Sequence, residues 1–355
     1  MDHKKLQGQL NKELGAPGLV TSLTEREKVK SGLSSGSMLL NFELSGSPLV
    51  GYAWGRMVEL YGPEQSGKTT FALHAILEAQ KLEAQSGEAV PALFVDAEHA
   101  LDVGYAENIG IDMGNLSISQ PDFGEQALDV VESAIATGYK LIVVDSVAAL
   151  TPEAEIEGEM GDSHMGLQAR LMSQACRKLG GKLKRSGGII IWINQIRTKI
   201  GIVFGNPEVT TGGNALKFWT SYRLEIRSPR AGAKKGKMKL SDESEDEQVE
   251  LGTIANIKVV KNKLYPPYRK ASIYIEYGVG IDKYRDAADF LRRVGAFKKK
   301  TVTSGKSKGK TIEAINLPSK KKSYQYSGLL KVLPNDADVQ KDVTVIIKKI
   351  DEGLK

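Results

Sequence analysis

The run Gly62-Pro-Glu-Gln-Ser-Gly67-Lys68-Thr69 combines residue types that together hold phosphate. Its glycines let backbone N–H groups turn inward around phosphate oxygens, and a helix that follows presents its positive end to them. At this spacing Lys68 reaches the β- and γ-phosphates of ATP, and the Thr69 hydroxyl is a ligand for Mg²⁺. Glu64, Gln65, Ser66, Gly67 and Thr70 complete the nucleotide-contacting turn. The bland alternative is a Gly-rich strand–helix turn with no ligand. It is weakened by the apolar strand before the run and the helical spacing after it.

Three more polar residues stand at the ends of apolar runs. Asp145 closes Leu141-Ile-Val-Val144, and a carboxylate there, expected on the strand next to the loop strand, suits the Mg²⁺ shell through water. Without the loop, such an Asp is more often a helix cap. Glu98, in Asp96-Ala97-Glu98-His99, follows another strand end on the same edge and is a candidate to activate the hydrolytic water; a surface carboxylate is the alternative. Gln195 follows Ile189 to Ile193 and can hydrogen-bond a γ-phosphate, or simply pack its loop.

The elements that must position these groups are legible as periodicity. Met57 to Tyr61 reads as a strand ending at the loop, and Thr69 to Ala79 as a helix. Ala92 to Val95, Leu141 to Val144 and Ile189 to Ile193 are continuous apolar runs. Ala127, Val130, Val131, Ala134 and Ile135 mark one helical face, with Asp122 three residues before Glu125 as a capping-box-like start. Runs buried on both faces and separated by helices imply an α/β fold with a mostly parallel central sheet flanked by helices. Tyr222 to Ile226 and Ile254 to Val260 are expected to extend it. Between them, residues 229–252 pass from basic and Gly-rich to acidic, and are expected to form a mobile loop.

The 355 residues, 41% hydrophobic and 26% charged, suffice for one large or two medium domains. No run approaches the roughly 18 apolar residues of a membrane span, and Met1-Asp-His-Lys-Lys leads into no secretory signal. Cys176 is the only cysteine, which fits a reducing cytoplasm. His3, His74, His99 and His164 are scattered and suggest no zinc cluster. A net charge of +6 and a pI of about 9 are compatible with an acidic partner such as nucleic acid, without requiring one.

Taken in order, these motifs resemble those of the RecA family of DNA strand-exchange recombinases. The matching blocks include Gly55-Arg-Met-Val-Glu-Leu-Tyr-Gly-Pro-Glu64, Asp96-Ala-Glu-His-Ala-Leu-Asp102, Val143-Val-Asp-Ser-Val-Ala-Ala-Leu-Thr-Pro152, Ile193-Asn-Gln-Ile-Arg197, Thr211-Gly-Gly-Asn-Ala-Leu-Lys-Phe218 and Val259-Val-Lys-Asn-Lys263. The resemblance is strong from about 35 to 297. It implies an N-terminal helical arm for oligomerisation (1–34), an ATPase core (35–283) with DNA-binding loops at about 157–166 and 195–211, and a small basic α+β C-terminal domain (284–355). It implies an ATP- and Mg²⁺-dependent helical filament on single-stranded DNA that pairs with homologous duplex and exchanges strands, the arm packing on the next subunit. Glu98 would activate water, and Gln195 would sense the γ-phosphate. Tyr105 would stack on adenine with Asp102 beside it, and Lys261 and Lys263 would reach the ATP of the adjoining subunit.

For DNA, the resemblance points to Arg170, Ser173, Arg177, Arg197 and Lys199, to the N–H groups of Gly212, Gly213 and Asn214, and to Met165 and Ile200 as apolar wedges. Arg170 and Arg177 could equally be a solvated helix face, and Met165 a core residue. The chain departs from the familiar acidic C-terminal tail of bacterial members: it ends Lys348-Lys-Ile-Asp-Glu-Gly-Leu-Lys355, so its basic C-terminal region is expected to bind duplex with modest Mg²⁺ dependence. Two other readings share the ATPase core, a ring-forming DNA motor and a DNA-binding regulator without hydrolysis. The arm and two DNA loops favour a filament over the first. The presence of Lys68, Thr69, Glu98 and Asp145 disfavours the second.

Overall fold

The computed structural model describes residues 3–15, 20, 31–159, 166–199, 207–229, 234–238, 247–301, 311–320 and 322–354. Its centre is a sheet in the order Leu116–Ser119, Ala92–Asp96, Leu141–Asp145, Ile189–Thr198, Arg56–Gly62, Tyr222–Arg227, Glu247–Asn262, Lys270–Glu276, Gly280–Ile281. The first six strands run parallel, and the last three continue antiparallel. Successive side chains of a strand point to opposite faces. Leu141, Val143, Ile189, Ile191 and Ile193 therefore enter a core shared with Phe71, Leu73 and Ile76 of the helix Lys68–Ser86. Ile142, Val144, Ile190 and Trp192 enter a second core with the helices Gly124–Thr137 and Leu167–Ser186. Each such side chain, when fully buried, contributes roughly 1.5–3 kcal/mol. That exceeds the ~1 kcal/mol span of strand propensities, so burial on both faces decides which residues form the strands.

Three expectations are corrected. The Asp145 strand does not adjoin the loop strand: Ile189–Thr198 lies between them and pairs with both. A catalytic edge in a parallel sheet needs only that strand ends coincide, not that consecutive strands be neighbours. The helix starting at Gly124 is not capped by Asp122; Phe123 occupies the N-cap, and the Asp122 N–H donates instead to Gln126 Oε1 at 2.6 Å. Finally, the charged insert is not simply a loop. Lys234–Met238 pairs antiparallel with the first residues of Glu247–Asn262, Met238 opposite Glu247. Its composition forbids a buried core, but a two-stranded ladder satisfies its own backbone without one.

The C-terminal region carries the antiparallel strands Lys298–Thr301, Thr311–Leu317 and Lys322–Tyr324 with the helices Lys283–Arg293, Tyr326–Val332 and Ala337–Leu354. It is joined to the main core by buried polar contacts. Asp286 accepts from Ser37 Oγ at 2.5 Å and Met38 N at 2.6 Å, and burial pushes its carboxyl up to about 7. Glu43, fully buried on Met38–Ser45, pairs with Arg269 and with Arg293, the latter at 2.7 Å. No described helix is long and apolar enough to cross a membrane.

Candidate nucleotide site and its connections

The phosphate loop leaves its strand at Gly62, which lies in register with Gln195. Gly67 begins the following helix at φ 92, a left-handed conformation that favours glycine; a Cβ there would also stand 2.7 Å from Ile275 Cδ1. Gln65, Gly67, Lys68, Thr69 and Thr70 line a cavity of about 640 Å³ with Asp102 and Tyr105. Asp102 caps its helix by accepting from Tyr105 N at 2.9 Å, which sets the aromatic ring; its hydroxyl lies 2.9 Å from Thr70 Oγ1. Asn108, Thr253, Ile275, Tyr277 and Gly278 form further parts of the wall, which the sequence reading missed. They arrive from separate elements, and no local motif distinguishes them. Glu64 and Ser66 do not line the cavity; Ser66 turns into the protein, buried.

Lys68 folds back on its own loop, donating to Pro63 O at 2.7 Å and Gly62 O at 3.3 Å. Burial lowers its pKa, opposed by the charges of Asp145, Glu98 and Glu64. This is a partly desolvated ammonium, and a bound anion would favour its charged form. Thr69 Oγ1 donates to Asp145 Oδ2 at 2.7 Å, and burial pushes the Asp145 carboxyl up to about 6 against that hydrogen bond. One hydroxyl and one carboxylate fit a Mg²⁺ that draws its remaining oxygens from phosphate and water. Among the described residues, no group of three His, Cys, Asp or Glu forms an all-protein metal site.

Glu98 lies at the same edge. Its N–H and that of Ala97 donate to Asp145 O at 3.2 and 2.8 Å. Asp96, buried and absent from the sequence-derived set, orders the turn by accepting from Ala100 N, Leu101 N and Gln120 Nε2 at 3.0–3.2 Å. The Glu98 Oε1 atom accepts from Gln195 Nε2 at 2.8 Å and from Ser146 Oγ. The strand carrying Gln195 runs on to Thr198 rather than ending before it.

From Gln195 the contacts continue inward. Its N–H donates to Asn194 Oδ1 at 2.9 Å, and Thr211 Oγ1 donates to the same oxygen at 2.5 Å. Asn194 Nδ2 donates to Thr211 O at 3.2 Å and to the fully buried Glu59 at 3.0 Å, which also pairs with Arg223. Gly212, at φ 74, donates its N–H to Gln168 Oε1 at 3.2 Å. In this structure that amide is bonded within the chain, to the helix that carries Arg170 and Arg177.

The other DNA candidates are distributed over three elements. Arg170 and Arg177 are exposed two turns apart on Leu167–Ser186, with half-buried Ser173 between them bonding Ala169 O at 2.8 Å. Arg197 and Lys199 are exposed at the far end of the Gln195 strand, and Gly213 and Asn214 are exposed before the short helix Ala215–Trp219. Met165 and Ile200 lie outside the described residues. Lys261 and Lys263 do not line the cavity. Their ammonium groups donate to Lys217 O at 2.5 Å and Phe218 O at 3.0 Å, and burial, with Lys263 and Arg223 nearby, lowers Lys261 to about 8.

The family profile described as the RecA N-terminal domain matches residues 4–282. Protein RecA of Macrococcus caseolyticus is 52% identical over 274 residues, covering 77% of this chain and 72% of that protein. Protein RecA of Thioalkalivibrio sulfidiphilus is 50% identical over 285 residues, covering 79% and 77%. Protein RecA of Zymomonas mobilis is 50% identical over 293 residues, covering 82% and 77%.

Proposed function

Because this chain belongs to the RecA family, whose members act in recombination and DNA repair, we propose that it is a DNA-dependent ATPase that forms a helical filament on single-stranded DNA and exchanges strands with homologous duplex. The observation that carries this reading is the link made by Gln195, whose side chain donates to Glu98 while its backbone N–H shares Asn194 Oδ1 with Thr211. It connects the candidate hydrolytic carboxylate to the segment that begins the second DNA-binding loop and the segment that ends it.

The loop amides, Lys68 and Thr69 bind and orient the triphosphate of ATP, while Tyr105 and Asp102 frame the base. Thr69 and Asp145 would hold Mg²⁺, which neutralises charge on the phosphate oxygens when bound. Glu98 takes the proton of the attacking water. Gln195 exchanges its bond to Glu98 for one to the γ-phosphate, and Asn194 transmits the change to Thr211. Such exchange shifts the chain toward its DNA-binding form only through the difference in affinity between the two forms. Lys261 and Lys263 serve the nucleotide of the adjoining subunit, so each complete site spans two subunits of an open, head-to-tail filament. Arg170, Arg177, Arg197 and Lys199 neutralise phosphates and read no sequence, leaving homology to base pairing.

Strand exchange between a circular single strand and a homologous linear duplex, with ATP and Mg²⁺, tests the reading. The wild type should form joint molecules, and Lys68→Ala should form none with ATP. A wild type that instead assembles closed rings and unwinds duplex would overturn it in favour of a motor.

A further inference from the structure

We propose that Ser146 is the positioning residue for Glu98, the fixed hydroxyl that keeps this carboxylate aimed while Gln195 is free to leave it. The inference rests on the reading of Glu98 as the group that activates water.

The Glu98 Oε1 atom has two donors of unlike character. Gln195 is half-buried, on a strand whose next residues reach exposed Arg197, Thr198 and Lys199. Ser146 is completely buried and follows Asp145 directly. Its carbonyl accepts from Ala149 N at 3.0 Å, and the Asp145 carbonyl accepts from the N–H groups of Ala97 and Glu98. The backbone of Ser146 is thus tied to the turn that presents Glu98. One short segment thereby holds the Thr69 partner and the Glu98 partner in adjacent residues.

The bland role for a serine here is to cap the 3₁₀ turn Val147–Ala149. Ser146 occupies the N-cap position, yet its side chain makes no capping hydrogen bond. Its hydroxyl is committed to Glu98 instead. A buried donor on a hydrogen-bonded backbone differs from half-buried Gln195, whose proposed task requires it to move. When Gln195 turns to the γ-phosphate, Ser146 is the remaining described donor to Glu98, so it decides the direction of the carboxylate during hydrolysis. Misplacing a catalytic group by about 1 Å costs roughly a hundredfold in rate.

The test measures DNA-stimulated ATP hydrolysis by the full chain for wild type, Ser146→Ala, Ser146→Thr, Glu98→Gln and the Ser146→Ala/Glu98→Gln double variant. Binding of a fluorescent ADP and a melting curve report folding. Ser146→Ala should lower kcat about 10- to 100-fold with KM for ATP within about twofold, since the hydroxyl acts on the hydrolytic step and not on nucleotide binding. Ser146→Thr, which keeps the hydroxyl, should stay within a few-fold of wild type. In the Glu98→Gln background, Ser146→Ala should change nothing further, because its effect runs through Glu98.

The proposal fails if Ser146→Ala retains wild-type kcat. It also fails if Ser146→Ala slows Glu98→Gln by the same factor as it slows the wild type, or if a folded Ser146→Thr is as slow as Ser146→Ala. Wild-type hydrolysis by Glu98→Gln alone is a distinct result that overturns the assignment of Glu98 itself.

Discussion

Replacing His74 with Gln should remove most of one pH-dependent component of stability. His74 lies on the helix after the phosphate loop, 7% exposed, and its Nε2 accepts from Ile281 N at 2.9 Å. Gly36 and Gly280 press against the side chain: a Cβ on Gly36 would stand 2.6 Å from the His74 Cβ, and one on Gly280 2.5 Å from its Nε2. Burial, reinforced by Lys81 and opposed by Glu78, lowers its pKa from 6.5 to about 4. Above pH 6.5 the imidazole is neutral both folded and unfolded, and the hydrogen bond is fully present. As pH falls below 6.5 the unfolded chain gains a proton that the folded chain refuses until about pH 4, so stability is lost across that window. Between pH 8 and pH 5 the loss from this residue is about 2 kcal/mol, at ~1.36 kcal/mol for each pH unit below 6.5. Gln can accept from Ile281 N and does not titrate. Asp286, with a carboxyl raised to about 7, acts in the opposite direction but is common to both proteins and cancels in their difference. Urea unfolding of wild type and His74→Gln at pH 8 and pH 5, without nucleotide or DNA, measures that difference. Wild type should lose about 2 kcal/mol more than the variant on acidification. Parallel losses would refute the assignment of a neutral, buried imidazole acceptor.

Glu59→Ala should destabilise by about 3–5 kcal/mol in thermal or urea unfolding, because it leaves Arg223, 11% exposed, without its buried partner and frees Asn194 Nδ2. Arg170→Ala combined with Arg177→Ala should weaken single-stranded DNA binding and reduce its log–log salt slope by about 1.4, at ~0.7 per phosphate contact; an unchanged slope marks a solvated face. Neutralising the exposed Lys298, Lys299 and Lys300 to Gln should weaken duplex binding while leaving ATP hydrolysis intact. Deleting the whole C-terminal region is a poorer test, since Leu329, Val339 and Ile347 belong to the main core.

Features whose cause is local can be read from the residues alone. The phosphate loop is legible because glycine, lysine and threonine at fixed spacing are required by phosphate geometry. The strands Leu141–Asp145 and Ile189–Thr198 are legible because burial on both faces demands continuous apolar runs. Glu98 and Gln195 are legible as polar residues just past apolar runs, whereas Asp102 and Tyr105 come only from resemblance in motif order; the fold joins the first two by a hydrogen bond and brings the last two to the cavity wall. The strand order, which inserts Ile189–Thr198 between the Asp145 strand and the loop strand, emerges only on folding. Parallel strands joined by helices carry no mark in sequence of which neighbour they choose. Folding likewise selects the contacts in which Gly212 donates to Gln168, Ser146 directs its hydroxyl to Glu98 rather than to a cap, and Asn194 joins Glu59 to Thr211. A buried polar side chain must find a partner, but the partner is chosen by packing across residues far apart in the chain, where periodicity and spacing hold no information.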